Sequence, residues 1–382
     1  ILGGSKTSIL YKNLVKNQLA VQASVSHPCE ELSCSFNLIA LPHPASGKSL
    51  ADMEKIVRDS LVEFETRGVK DDDLIKAKAQ MEAGFVFGLQ SVAGKVSQLA
   101  SYQTFTGDPN YIEQDILRYA QVTKDDVIRV YQQYIKGKHA VIMSVVPNGK
   151  TNIIAAQDNY QAKKGDFSNL ASVASSDLKL RKAVDSFDRS VIPPAGENKS
   201  VTLPEMWQEN FTNGIKVLGS QSFETPTTSL LLKIPAGHYY ETADKAGMVN
   251  LLAQLLNEST TQRSAEEMSK ALQKLGSSVN ISASNFYLNI TINSLTKHFE
   301  QTMALVHEKL MMPAFKAEEF SRIKNNSIEQ VINQHKDASY LASRAYRQLF
   351  HSDNIAAMPA GGSQKSLKAI SLADVKAFYL KQ

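Results

Sequence analysis

Two stretches of this chain repeat each other at a nearly constant spacing, and that repeat limits the folds open to it. Thr123, Asp126, Val127, Val130 and Tyr131 match Ser371, Asp374, Val375, Phe378 and Tyr379 at an offset of 248. Each set opens on a hydroxyl N-cap, carries an acidic residue three positions on, and continues with apolar residues at helical spacing. Upstream, Val69, Asp73 and Leu74 match Phe315, Glu319 and Phe320 at an offset of 246. Two pairs at almost one offset argue for a duplicated unit. The second unit starts near Val201. Shifted back by the offset, the opening strands and first helix of the first unit fall before residue 1. The chain opens on Ile1 and closes on Gln382 without a helix cap, so both ends read as cut, and the lack of a targeting segment says nothing of compartment.

Between the copies, residues 151–200 are rich in Ser, Ala, Asp, Lys and Asn, contain Pro193 and Pro194, and lack sustained apolar periodicity. This reads as an interdomain linker, with one domain over 1–150 and another over 201–382. In the second, Asn213-Gly214 signals a hairpin. Strands are expected at Ser229–Pro235, Ser278–Ala283 and Phe286–Asn293. Helices are expected at Ala243–Asn257, Ser264–Leu275, Leu295–Met312 and Ala317–Phe350, the last with a break near Asp337. The first domain gives strands at Leu19–Ser26, Ser33–Leu41 and Ala140–Val146. Its helices are at Ser49–Arg67, Asp72–Thr106, Pro109–Ala120 and Lys124–Ile135. The fold class is α+β: two similar domains, each an antiparallel-rich mixed sheet with helices packed on one face.

Composition removes several functions. Of 382 residues, 21% are charged and 43% hydrophobic, with a net charge of +4, too apolar and too balanced for a disordered chain. Lys and Arg are dispersed, so no nucleic-acid footprint is expected. No apolar run approaches the roughly 20 residues of a membrane span. Two cysteines make no disulfide framework.

The second unit resembles a domain of the pitrilysin/insulinase family of zinc metallopeptidases, the inverzincins. The likeness is carried by Asn213-Gly214 before a strand, Gly247 through Thr260, Leu275 through Asn280, Pro313 through Glu319, Gly361, and Phe378-Tyr379. Leu2 through Tyr11 is similar to the family's glycine-rich segment. The resemblance implies four similar α/β domains in two halves joined by a linker. This chain then corresponds to most of the second domain, the linker and the third.

The family's zinc site is His-x-x-Glu-His on a helix, with a distal Glu on a later helix. The two His lie on one face and bind the metal, and the Glu between them takes a proton from its bound water. The resemblance puts Asn250, Ala253 and Gln254 at these positions and Gln330, beside Glu329, at the distal one. Amides are poor zinc ligands beside imidazole or carboxylate, and Ala253 cannot act as a base. No catalytic or metal-binding residue is therefore expected here, and zinc is expected only in a missing or partner catalytic domain. The periodicity agrees: Val249, Leu252 and Leu256, with Met248, Leu251 and Leu255, make a wide apolar face, and Asn250, Gln254 and Asn257 a polar stripe that is solvated or faces a chamber. The Arg and Tyr of the family's fourth domain correspond to Ile9 and Val21, so no substrate-binding pair carries over.

Other clusters are weaker. His238 and Glu241 give half of a metal motif in an expected loop. His27, Cys29 and Cys34 could seed a metal site but lack a visible fourth ligand. Two free thiols is the plainer reading, a Cys29–Cys34 disulfide needing an oxidising compartment. His335/Asp337 and His351/Asp353 read as surface pairs, Gly3-Gly4 lacks the rest of a phosphate loop, and Met311-Met312 reads as packing.

Two functions follow as expectations. One is the inactive portion of a zinc endopeptidase, contributing walls and peptide-binding surface to a clamshell whose zinc-bearing half lies in the same full-length chain or on a separate subunit. The partners are then that half and a peptide substrate, and the compartment favoured is the periplasm. The other is a wholly non-catalytic structural or assembly protein of the same fold, like the core subunits of respiratory complexes. A peptide-binding module acting through a free sheet edge is a third reading.

Overall fold

The computed structural model describes residues 1–30, 32–159, 188, 190–192, 194, 196, 204–352 and 354–382. They fall into two compact units, one built from Ile1–Ala156 with Glu224–Gln382 and the other from Gln157–Phe223. Most of the expected linker, and Asp353, lie outside the described residues.

The first unit opens with a π-helical turn, Tyr11–Val15. Strands β1 (Ala20–Ser26) and β2 (Asn37–Pro42) then pair antiparallel, with Ala23 opposite Ala40 and an irregularity between Ala20 and Gln22. Leu10, Leu14, Ala20 and Met53 form a small core beneath them. Helix α1 (Leu50–Arg67) starts where Ser49 Oγ accepts from Asp52 N (3.1 Å) and Asp52 Oδ2 accepts from Ser49 N (2.9 Å), a reciprocal cap. The single helix expected over 72–106 is two, α2 (Asp71–Gly88) and α3 (Val92–Thr106). Ser91 divides them by capping α3, its Oγ accepting from Gly94 N at 3.0 Å; local side-chain capping there outweighs helix continuation. Helices α4 (Ile112–Gln121) and α5 (Lys124–Tyr134) follow, the latter capped by the expected Thr123–Asp126 box. The strand expected at 140–146 does not form. Val141 and Val145 are 94% and 86% exposed, and no ladder among the described residues includes the segment. Apolar alternation creates a strand only where a neighbour accepts its hydrogen bonds.

In the other unit, β3 (Met206–Asn210) and β4 (Lys216–Ser220) form the hairpin signalled by Asn213-Gly214. Phe211 N donates to Ile215 O at 2.8 Å across its turn.

The first unit resumes with β5 (Thr227–Ile234). Helices α6 (Met248–Leu256) and α7 (Ala265–Lys274) come next, then β6 (Ser278–Ala283) and β7 (Leu288–Leu295). The sheet order is β5-β7-β6, all antiparallel, with Leu230 opposite Ile292 and Ile281 opposite Ile290. Every ladder among the described residues is antiparallel, in keeping with the antiparallel-rich sheets expected from sequence. Helices α8 (Phe299–Met311), α9 (Ala317–Gln334), α10 (Ala338–His351), α11 (Gln364–Ala369) and α12 (Leu372–Lys381) complete the unit. Asp337 Oδ1 accepts from Tyr340 N (3.0 Å), which marks the break between α9 and α10. One core joins Val249, Leu251 and Leu252 of α6, Ile290 and Ile292 of β7, Ile323 of α9, and Leu367 and Val375. Each buried aliphatic side chain of this kind stabilises by about 1.5–3 kcal/mol, so α6 is held in place mainly by its apolar face. Among the described residues no helix is long and apolar enough to cross a membrane.

Candidate functional site: the α6–α9 face

Helix α6 begins at Met248, five residues later than expected, because Gly247 stands at φ +97°. A Cβ there would meet Gly361 O and Leu367 Cδ2, each at 3.0 Å, so the position needs glycine for conformation and for space. Two N–H groups at the start of the helix are satisfied by Glu241. Its Oε2 accepts from Gly247 N (3.0 Å) and its Oε1 from Val249 N (2.5 Å), which also places negative charge at the positive end of the helix.

Glu241 also holds His238, with Nδ1 at 2.7 Å from Oε2. His238 Nε2 lies 3.0 Å from Met358 O and 3.1 Å from Ile355 O. Both ring nitrogens face acceptors, so the ring carries two protons and a positive charge. Burial opposes that charge, but the Glu241 bond and charge and the two carbonyls together raise the pKa above the ordinary imidazole value. The His238/Glu241 pair is therefore a buried helix cap, and both residues are less than a tenth exposed. The sequence places it in a loop with no partner; the Ile355 and Met358 carbonyls that complete it come from more than a hundred residues away.

Along α6, Ala253 is 1% exposed and packed in the core, whereas Asn250 and Gln254 are half-buried. Gln254 Nε2 donates to Ser327 Oγ of α9 at 3.5 Å. Gln330 lies three residues beyond Ser327 and is exposed; Glu329 is half-buried. The tertiary structure thus brings the Gln254 turn of α6 against the Ser327 turn of α9, the pair of helices the sequence assigned to the degenerate site. Asn257 departs from the expected polar stripe. Its Nδ2 donates to Ala253 O (2.9 Å) and Ile281 O (2.7 Å), and its Oδ1 accepts from Ile281 N (3.2 Å). Both ends of the amide are used to fasten α6 to β6, so Asn257 is a structural lock and not a solvated group.

Beside α9 lies a cavity of about 390 Å³ lined by Gln18, His43, Asn325 and Glu329. His43 is 5% exposed; its Nδ1 accepts from Ala45 N (3.2 Å), so the proton sits on Nε2, which has no partner among the described residues. Sequence reading passed over His43, which no motif marks.

A second cavity of about 340 Å³ is lined by Lys6, Tyr11, Glu258, Glu319 and Arg322. Glu258 Oε1 lies 2.8 Å from Lys6 Nζ and 3.0 Å from Arg322. Burial would raise the Glu258 pKa, but the two cations outweigh it and hold the carboxyl below its usual range. Lys309, 3% exposed nearby, is pushed down to about 8 by burial and by Lys6, against the pull of Glu258. Ile9 is buried with Phe64 and Tyr131, and Val21 lies on β1.

Cys29 and Cys34 are joined in a disulfide, against the plainer reading as free thiols. Their pairing as an isolated antiparallel bridge brings the two side chains together, a proximity invisible in a spacing of five.

The α6–α9 pair thus carries amides at Asn250, Gln254 and Gln330 and a buried methyl at Ala253. Residues 216–359 match the family model described as insulinase (peptidase family M16). The chain is 24% identical over 167 residues to a non-peptidase homolog, YmxG, of Helicobacter pylori, covering 44% of this chain and 39% of that one. It is 26% identical over 133 residues to the mitochondrial-processing peptidase subunit alpha-1 of Dictyostelium discoideum, covering 32% and 20%. The chain thus spans about two fifths or less of the length of these relatives. Among solved structures, a peptidase M16 inactive domain from Pseudomonas fluorescens is 25% identical with a TM-score of 0.43, covering 45% of this chain and 42% of that one.

Proposed function

We propose that this chain is a non-catalytic portion of an insulinase-type zinc endopeptidase. It supplies walls and peptide-binding surface to a chamber whose zinc lies on another half, in the same full-length protein or on a separate subunit. The observation that supports this reading is the α6–α9 contact: Gln254 donates to Ser327, and the residues that the resemblance sets at the ligand and base positions include this amide and the buried methyl of Ala253. Neither supplies a good zinc ligand or a proton acceptor for water. Substrates are unfolded peptides, and the compartment is the periplasm, where the Cys29–Cys34 disulfide persists.

The test uses the purified, oxidised chain, a fluorogenic unfolded peptide and metal analysis. We expect less than one zinc per chain and no cleavage until a zinc-bearing half is added. Chelator-sensitive cleavage by the chain alone would overturn the reading. A wholly structural role is the second reading, favoured by the Helicobacter relative's description as a non-peptidase homolog. It takes precedence if every added half leaves the peptide intact.

A further inference from the structure

The tip of the β1–β2 hairpin carries three metal-type donors that the proposed function leaves unused. His27, Cys29 and Cys34 each offer a ligand atom, and these atoms lie within 4.8 Å of one another on the surface. The His27 ring stands against Cys29, with Nδ1 and Nε2 at 3.9 and 4.0 Å from Sγ. A tetrahedral zinc with bonds of about 2.3 Å to sulfur and 2.0 Å to nitrogen sets neighbouring S and N ligands roughly 3.5 Å apart. The ring is therefore within a few tenths of an ångström of ligand spacing from Cys29.

The backbone holds this arrangement independently of the disulfide. Glu30 N donates to Ser33 O (2.8 Å) and Ser35 N donates to Pro28 O (3.0 Å). These bonds flank the Cys29–Cys34 bridge on both sides, so the two sulfurs still face each other once the bond between them is broken. Exposure of all three residues lets a reductant and an ion reach them.

We propose that the hairpin tip is a redox-gated zinc site: closed as a disulfide under oxidising conditions, and opened by a dithiol reductant to a Cys₂His site for one Zn²⁺. In the first step the dithiol gives two electrons and two protons to the Cys29–Cys34 bond. That bond breaks, two protein thiols form, and the dithiol becomes a disulfide. In the second step both thiols lose their protons to solvent as the thiolates bind the ion with the His27 nitrogen. Two thiolates and an imidazole suit zinc by ligand softness, and a water completes the tetrahedron. The site is separate from the α6–α9 face, and its failure would leave the reading of that face untouched.

Cobalt(II) is the probe, because its thiolate complexes absorb in the near ultraviolet and this chain has only two cysteines. The full chain is reduced with a phosphine, desalted without air and titrated with Co²⁺ alone, then with Zn²⁺ in competition. We expect a thiolate-to-cobalt band saturating at one ion per chain and bleached by zinc. The oxidised chain should show no band. Cys29→Ser should abolish it, and His27→Ala should weaken binding at least about tenfold. No band in the reduced chain would overturn the proposal. So would saturation at one ion per two chains, which means cysteines shared between molecules, or unchanged affinity in His27→Ala. The oxidised wild type carries the same fold and serves as the control for nonspecific binding.

Discussion

At the scale of single residues, the most consequential group is one the sequence presents as half a motif. His238 bridges Glu241 to the carbonyls of Ile355 and Met358 and so ties the start of α6 to a distant turn. Replacing it with Ala leaves the Glu241 carboxylate buried without its counter-charge. Losing one partner of a buried pair costs about 3 kcal/mol or more, so His238→Ala should lower the denaturant midpoint accordingly with an unchanged m-value. The pair also confers a pH dependence. The folded pKa of His238 is raised, so its stabilisation is complete below the unfolded value of about 6.5 and is lost as pH rises through the raised value. Urea midpoints measured on both sides of neutrality should fall with rising pH in the wild type, with a smaller slope in His238→Ala. An identical slope in both would assign the effect elsewhere. Gly247→Ala is expected to cost more than about 1 kcal/mol by the same measurement, since its φ of +97° and the nearby Gly361 carbonyl both reject a side chain. The glycine itself stands in the sequence; its conformation is set by the partner surface at Gly361.

At the scale of elements, the capping signals were legible and the strand ends were not. Thr123 and Ser371 cap their helices as expected, and Ser49 and Ser264 do the same, because each box is complete within four residues. The 140–146 segment fails as a strand, because pairing is a property of two segments and only one was in view. The degenerate helix pair offers a constructive test. Writing the ligands back as Asn250→His, Ala253→Glu, Gln254→His and Gln330→Glu should confer about one zinc per chain after dialysis, where the parent retains less. That outcome requires α6 and α9 to keep the register fixed by the Gln254–Ser327 contact. A folded variant without zinc would show that the two helices hold the ligands too far apart.

At the scale of the whole molecule, the glycine-rich start of the chain is bound to the region past residue 250 through Lys6, Glu258 and Arg322. Glu258→Gln removes the anion that two cations share, with buried Lys309 close by, and should cost about 3 kcal/mol. Because the folded pKa of Glu258 is depressed, its contribution is present above the unfolded carboxyl value and disappears as pH falls through the depressed one. The acid limb of the stability profile should therefore be flatter in Glu258→Gln, and thermal unfolding between about pH 3 and pH 6 measures it. Residue type and neighbours a few positions away were enough for the periodic helices and for the Thr123 and Ser371 caps. Only the tertiary structure decided that Asn257 is a lock, that His238 is a charged cap, and that Cys29 meets Cys34. Each of these depends on an atom brought near by chain closure, and no local spacing encodes that distance.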